Sequence, residues 1–401
     1  MHILLIHQAF AALDEPGGTR HHEFARFLAS KGHRVTVIAS PVSYLTGTKS
    51  GNAPSNLSSS PGVHILRAYT YSALHKSFFH RLLAFFSFTF SSFFAGLGVQ
   101  DVDVVWGTSP PIFQGWTAWL LARLKGASFL FEVRDLWPDF AIAVGVLKNP
   151  ILIALSRWLE RFLYRHADLM VVNSPGYIQP VSARGARRVE LIPNGSDPEM
   201  FDPLDTGNAF RTAHRLQNKF VVLYAGAHGI SNDLEVVLQA ARLLAHRLDI
   251  HFVLLGDGKE KPNLQARAHE WGVKNVTFLP PVPKNEMRAA LAGADACLAI
   301  LKPLEEYKTT YPNKVFDYMA AGRPTILAID GVIREVVQAA GAGLFCRPGD
   351  PQALAGAVLE LASNRDAALQ MGLAGRAYLE RHFSRQALAE KLEACLRELV
   401  A

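Results

Sequence analysis

Cysteine is scarce: Cys297, Cys346 and Cys395 are the only three in 401 residues, far apart and with no C-x-x-C pair. That argues against a disulfide framework and against a zinc site of the usual spacing, and it predicts a reducing cytoplasm. No basic n-region or cleavage site precedes the strand-like MHILLIHQAF, so nothing there directs export. No G-x-G-x-x-G fingerprint follows a strand. Helix-turn-helix and zinc-finger spacings are missing too, and basic residues do not alternate with aromatics, which leaves nucleic acid the weakest of the candidate partners.

With 49% hydrophobic residues the chain can bury two cores. Its charge is uneven. Residues 1–196 hold 18 Lys+Arg against 11 Asp+Glu, or +7, and residues 197–401 hold 23 against 24, or −1. A basic first half suits an anionic membrane or a phosphorylated substrate. Short apolar runs alternate with amphipathic stretches, the pattern of parallel sheets built from strand–helix–strand units. HILLIH, RVTVIAS, DVVWGT, FLFEV and LMVVNS predict buried strands of a first domain; FVVLYAG, IHFVLLGDG, VTFLP, ACLAIL, PTILAI and GLFCRPG predict those of a second. Residues 191–205, rich in Pro, Asp and Gly, read as the linker. The expected fold class is α/β, two Rossmann-like doubly wound domains facing a cleft, at 1–196 and 197–380. A terminal helical segment, 381–401, is expected to cross back to the first domain.

Ligands of such sheets bind at the carboxyl ends of the strands, so the loops there carry the candidate residues. Gly17 and Gly18 precede the first helix, with Thr19 as a cap and Arg20 beside it; paired glycines admit close approach of a ligand, although a structural turn explains them as well. In EVRDLWPD, Glu132, Arg134, Asp135 and Asp139 surround Trp137 at a strand end, where packing alone does not explain so many charges. YAGAHG, with Gly226 and His228, and LLGDGKE, with Gly256, Asp257 and Gly258, each offer either a nucleotide-binding backbone or an ordinary tight turn. The stretch YPNKVFDYMAAGRP places Lys314 and Asp317 on one face at the start of an apolar helix. Unpaired N–H groups there can hold a phosphate while the carboxylate accepts from sugar hydroxyls. Lys302, Lys308, Thr309, Thr310 and Asn313 lie just upstream, and cations around a helix start suit a diphosphate.

Together GGTRHHEFARFLASKGHRVTVIAS, RDLWP, IPNGSD, GDG, PNKVFDYMAAGRPTIL and GLFCRPGDPQALAGAV resemble the retaining nucleotide-sugar glycosyltransferases of family 4, over nearly the whole chain. YAG-x-HG and K-T-x-x-P-x-K are similar to segments of the subgroup that builds bacterial polysaccharide repeat units. The resemblance implies the GT-B fold, the first domain binding acceptor and the second nucleotide-sugar. Asp317 matches the second glutamate of the family's Glu-x7-Glu pair, which binds the donor ribose, whereas Thr309 stands where the first is expected. Ala227-His228 and Asn232-Asp233 occupy the region of the usual Arg/Lys clamp on the diphosphate, and Arg134-Asp135 replaces a common His-Asp. Lys308 and Lys314 are therefore expected to meet the phosphate charge, with Arg134 and Asp135 completing the catalytic set and the glycine loops, Asn313, Thr309 and Thr310 lining the nucleotide.

The implied activity moves a hexosyl or N-acetylhexosaminyl group from a UDP-sugar to a polyisoprenoid-diphosphate-linked or saccharide acceptor in bacterial surface-polysaccharide synthesis. No cofactor or metal is expected: Asp101-Val102-Asp103 spells D-x-D but reads as a polar strand start. A 2-epimerase of the same fold and a non-catalytic nucleotide-sugar or membrane-binding scaffold are the alternatives. Residues 82–100 carry no charge and follow His75, Lys76, His80 and Arg81. They fit a membrane span, a buried helix or a helix lying in the membrane interface. The expected location is peripheral, on the inner face of the cytoplasmic membrane.

Overall fold

A computed structural model describes residues 1–13, 15, 17–42, 62–72 and 78–401. The chain folds as two compact units, one of residues 1–13, 17–193 and 386–401 and the other of residues 194–385. Unit 1 holds a sheet of β1 (His2–Ile6), β2 (Arg34–Ala39), β3 (Val63–Arg67), β4 (Val104–Ser109), β5 (Ser128–Val133), β6 (Leu169–Val172) and β7 (Val189–Leu191), in the order β3-β2-β1-β4-β5-β6-β7. Every pairing is parallel. β1, β4 and β6 are buried along their whole length, as a parallel sheet covered on both faces requires. Helices α1 (Arg20–Ser30), α2 (Phe78–Leu97), α3 (Phe113–Lys125), α4 (Asp139–Ala143) and α5 (Pro150–His166) follow in chain order. The C-terminal helix Arg385–Val400 adds Leu388, Leu392 and Leu396, spaced one turn apart, to the core around Ile3, Val104 and Leu169.

Unit 2 holds β8 (Phe220–Ala225), β9 (Ile250–Leu255), β10 (Val276–Leu279), β11 (Ala296–Ile300), β12 (Thr325–Ala328) and β13 (Gly343–Phe345), ordered β10-β9-β8-β11-β12-β13. Each of these six strands lies where its apolar run predicts it. Both sheets are doubly wound, and the strand order reverses at β1/β4 in unit 1 and at β8/β11 in unit 2, which marks the loops after those strands as ligand sites. β3 and β7 are the strands the sequence pattern misses. Both are edges: β3 is only half buried, and β7 has three residues, all partly exposed. Neither presents the continuous apolar run that identifies an interior strand.

The Asp101–Asp103 pair lies at the amino ends of the strands, opposite the ligand-binding ends. Asp103 Oδ2 accepts the backbone N–H of His2 at 2.6 Å. Among the described residues no helix is long and apolar enough to cross a membrane. His75 and Lys76 lie outside the described residues; His80 and Arg81 stand in the first turn of α2, ahead of its uncharged run. One face of α2 is core, with Ala84, Phe88 and Ser92 buried, while Leu83, Phe86, Phe90, Phe94 and Leu97 are exposed. The inner face is thus that of a buried helix, and the outer face is exposed. Phe88→Ala should cost about 3–5 kcal/mol of unfolding free energy by leaving a cavity. Phe90→Ala, on the outer face, should change it by less than about 0.5 kcal/mol. Chemical denaturation of the two variants checks this, and equal losses would put both faces of α2 in the core.

Candidate functional site

In unit 2 the loop after β8 carries Gly226 and His228, the loop after β9 carries Gly256, Asp257 and Gly258, and the helix Asn313–Ala320 begins just beyond the loop after β11. These are the strand ends on either side of the β8/β11 switch. Lys314, in the first turn of that helix, lays its ammonium 3.8 Å from the centroid of the Tyr224 ring. The Lys314 nitrogen is buried and has no hydrogen-bond partner. Burial lowers its pKa to about 7. Gly226 makes this possible: at φ +147°, a Cβ there would stand 2.8 Å from the Lys314 nitrogen. Gly256 is needed for a related reason, since a Cβ on it would drive into the carbonyl oxygen of Gly226.

His228 is fully buried, and neither ring nitrogen has a partner. Burial, then the charges of Lys261 and Lys314, lower its pKa to about 4, so the imidazole is neutral. Its loop is fixed by backbone bonds, His228 N–H to the Asp257 carbonyl at 2.8 Å and Glu260 N–H to the His228 carbonyl at 2.9 Å. Lys261 staples the next loop by donating to the carbonyls of Gly256 at 2.7 Å and Leu279 at 2.9 Å. A rigid glycine-lined cradle therefore surrounds two buried nitrogen-bearing side chains that nothing in the protein satisfies.

Asp317, one turn beyond Lys314, does not pair with it. Its Oδ1 accepts from the Ser196 hydroxyl at 2.7 Å and from Lys284 Nζ at 2.5 Å. Lys314 points to Tyr224 and Asp317 to Lys284, so the two functional groups serve different halves of the site. Lys308 is exposed and bonds Glu305 at 2.7 Å, within the turn Glu305–Thr309. Thr309 donates to the Glu306 carbonyl at 2.7 Å, Thr310 ends that turn, and Asn313 is exposed at the start of its helix. Lys302 gives its backbone N–H to the Ser231 carbonyl at 2.9 Å. Of the three lysines, Lys314 is the one whose ammonium is buried without a partner, and Lys308 is exposed and paired with Glu305.

Gly17, Gly18, Arg134 and Asp135 belong to unit 1. Gly17 has φ +151° in the loop before α1. Thr19 occupies the N-cap position without capping; its hydroxyl donates to Glu23 Oε1 at 2.5 Å. The charges of EVRDLWPD divide by role. Glu132, buried on β5, accepts from Arg20 Nε at 2.9 Å and meets His21 Nε2 at 2.6 Å, and Arg20 also donates to the carbonyls of Ile192 and Pro193. Burial alone would raise the Glu132 pKa, but His21 and Arg20 beside it hold it below the usual carboxylate range. Arg134 donates to the carbonyls of Ser109 at 3.0 Å and Pro110 at 3.2 Å. Burial pushes Asp135 up to about 6 against the opposing pull of Arg134. Asp139 is tied to Arg184.

Lys284, Ser196, His7 and His21 are the residues sequence reasoning missed. Lys284 opens the helix Lys284–Ala292 and looks like any surface lysine in the sequence. His7 follows β1, is buried with both ring nitrogens unpartnered, and stacks 4.3 Å from His21. Only the doubled histidine of GGTRHHEF hinted at this pair.

Residues 17–195 match the family model described as glycosyl transferase 4-like domain, and residues 219–364 match that of glycosyl transferases group 1. WbjE of Pseudomonas aeruginosa, named as a glycosyltransferase, is 26% identical over 305 residues, 75% of each chain. WcaI of Escherichia coli (strain K12), whose name assigns it to colanic acid biosynthesis as a glycosyl transferase, is 25% identical over 320 residues, 77% of this chain and 78% of its own. Among solved structures, HepE of Anabaena in complex with UDP and glucose superposes with a TM-score of 0.75 at 15% identity, covering 99% of this chain and 100% of that one. The two doubly wound sheets and both family models agree: this chain is a GT-B-fold glycosyltransferase of family 4.

Proposed function

We propose that the protein transfers a hexosyl or N-acetylhexosaminyl group from a UDP-sugar to a lipid-linked or saccharide acceptor, at the inner face of the cytoplasmic membrane. The observation that carries the donor half of this reading is the buried, unpartnered ammonium of Lys314 beside the glycine loops. An isolated buried ammonium is costly, and a diphosphate is a ligand whose oxygens would repay that cost. HepE, which binds UDP, supports the choice of nucleotide. The name of WcaI supports a polysaccharide precursor as acceptor.

When the sugar–phosphate bond breaks, negative charge grows on the diphosphate. Lys314 and the N–H groups of the Asn313–Ala320 helix start meet that charge, with His228 as a neutral neighbour able to donate one hydrogen bond. Asp317, anchored through Oδ1, keeps its other oxygen for the ribose hydroxyls. Lys308 exchanges Glu305 for a phosphate oxygen, and Arg134 and Asp135 act on the acceptor side. Retention of anomeric configuration follows from the family resemblance. These cations take the place of a metal, so transfer should survive dialysis against EDTA; restoration of a lost rate by magnesium or manganese would refute that.

Lys314 sets a pH dependence with a definite sign. Burial brings its pKa to about 7 in the free protein, and a bound diphosphate would favour the charged form. Binding above pH 7 therefore takes up a proton, and UDP affinity should fall by up to about tenfold per pH unit from 7 to 9. Lys314→Met should bind weakly with no such slope. Titration calorimetry of UDP in buffers of different ionisation enthalpy reads the proton directly; binding that is pH-independent in the wild type would remove Lys314 from the phosphate. Because the folded pKa lies below the unfolded one, burial of Lys314 costs the free protein most at and below pH 7, and the cost fades as pH rises towards the unfolded value. Lys314→Met should accordingly raise the melting temperature of the nucleotide-free protein at neutral pH.

Asp317→Ala should weaken UDP binding by roughly 1.5–3 kcal/mol, the worth of hydrogen bonds to a charged acceptor. Full affinity in a folded Asp317→Ala protein would make the carboxylate a tether for Lys284 and Ser196 and nothing more.

A further inference from the structure

We infer that an anionic bilayer docks on unit 1 across two helices, α2 and α5, joined by the aromatic face of α3, and that α5 supplies the charge. This rests on the membrane-surface reading above and extends it to a helix that the hydropathy of the chain does not reveal. On α2 the exposed residues Leu83, Phe86, Phe90, Phe94 and Leu97 follow steps of three and four, a single stripe; Phe90 and Phe94 are 66% and 69% exposed. On α5 Ile151, Leu155 and Trp158 form a second stripe, 68%, 57% and 56% exposed. Asn149 fixes where α5 starts by accepting the N–H groups of Ile151 at 2.9 Å and Leu152 at 3.2 Å.

The stripes are continuous through α3. Phe86 packs on Phe113 with ring centroids 4.9 Å apart, and Trp116, one turn further along α3, meets Trp158 at 6.3 Å and Phe162 at 5.2 Å. An apolar surface of three helices in water is the mark of an interaction site. Its charge says with what. Residues 81–100, 112–126 and 148–166 carry seven basic side chains, Arg81, Arg123, Lys125, Lys148, Arg157, Arg161 and Arg165, and one acid, Glu160. Glu160 is buried and bonded by Arg184 at 2.6 Å, so it offers nothing to a partner. Arg157 lies 3.8 Å from Asp139, while Arg161 and Arg165 are exposed further along α5.

A second copy of this chain is a poor occupant, because a two-fold contact sets the same basic residues against themselves. Lys125 is already held by the carbonyls of Leu97 and Val99; lipid headgroups of negative charge satisfy exposed arginines such as Arg161 and Arg165, while the phenylalanines, leucines and tryptophans enter the interface between headgroup and acyl chain. Trp116 and Trp158, rings with an apolar body and one polar nitrogen, suit that depth.

The test is flotation of the full chain with vesicles of phosphatidylcholine, with and without phosphatidylglycerol, in the absence of donor and acceptor. Leu155→Asp/Trp158→Asp, with α2 untouched, should lower vesicle affinity more than tenfold, as should Phe90→Asp/Phe94→Asp. Arg157→Gln/Arg161→Gln should remove most of the preference for phosphatidylglycerol and flatten the salt dependence. Melting temperature and the shift produced by UDP confirm that each variant is folded. Wild-type-like binding of the α5 double variant overturns the inference, as does a wild type that ignores vesicles or that light scattering shows to be a dimer broken by these substitutions. Donor turnover onto a water-soluble acceptor is measured separately: a chain that binds vesicles but transfers nothing keeps the docking surface and loses the transferase reading.

Discussion

Unit 2 is organised around one expensive group, the ammonium of Lys314, held without a hydrogen bond against the face of Tyr224. A cation over an aromatic ring recovers part of its lost hydration, and the rest remains as a lowered pKa. Most of what surrounds it is a consequence. Gly226 has no Cβ because the ammonium occupies that space, and Gly256 has none because the backbone of Gly226 does. Tyr224, itself buried, donates its hydroxyl to the Ala227 carbonyl at 2.7 Å, which holds the ring under the ammonium and the loop over it at once. The strand end, two glycine loops and helix start therefore form one preorganised arrangement, in which the unmet hydrogen-bonding capacity faces the β8/β11 switch point.

Unit 1 solves the opposite problem at the equivalent strand ends. There the buried carboxylate of Glu132 is met by Arg20 and His21, and Arg20 also donates to the Ile192 and Pro193 carbonyls. Such a network ties β5, α1 and the end of the unit into one body, and removing a single partner would strand a charge. It also presents His7, stacked on His21 and lacking partners of its own, at the end of β1. A paired carboxylate, Glu132, braces the first sheet, whereas an unpartnered ammonium, Lys314, characterises the second.

The sequence spells out what depends on local pattern. Interior strands are legible because parallel sheets bury both faces, and the site loops because glycine follows those strands directly. Edge strands β3 and β7 escape because His64 and Arg67 in one and Glu190 in the other break the apolar run, whereas the edges β10 and β13, as exposed, carry no charged residue. Spacing puts Lys314 and Asp317 on one helical face, but it cannot say where each side chain turns. Lys284, which meets Asp317, lies 33 positions earlier, and no periodicity links the two. For the same reason Thr19 holds the right position for a cap, yet its hydroxyl donates to Glu23 and accepts no backbone N–H of the first turn.

Helix α2 shows why hydropathy alone is ambiguous. A largely apolar helix is expected to be buried or to cross a membrane, yet this one is buried on one face alone and is not long and apolar enough to cross. One face is apolar because Phe88 completes the core of unit 1, the other because Phe86, Phe90 and Phe94 form part of an exposed surface. In α5 the same surface is hidden from a hydropathy scan, because Arg157, Arg161 and Arg165 interrupt the apolar residues along the chain while leaving them contiguous in space. An uncharged run and a basic amphipathic helix, dissimilar as strings, become two sides of one surface once the Phe113 and Trp116 rings of α3 join them.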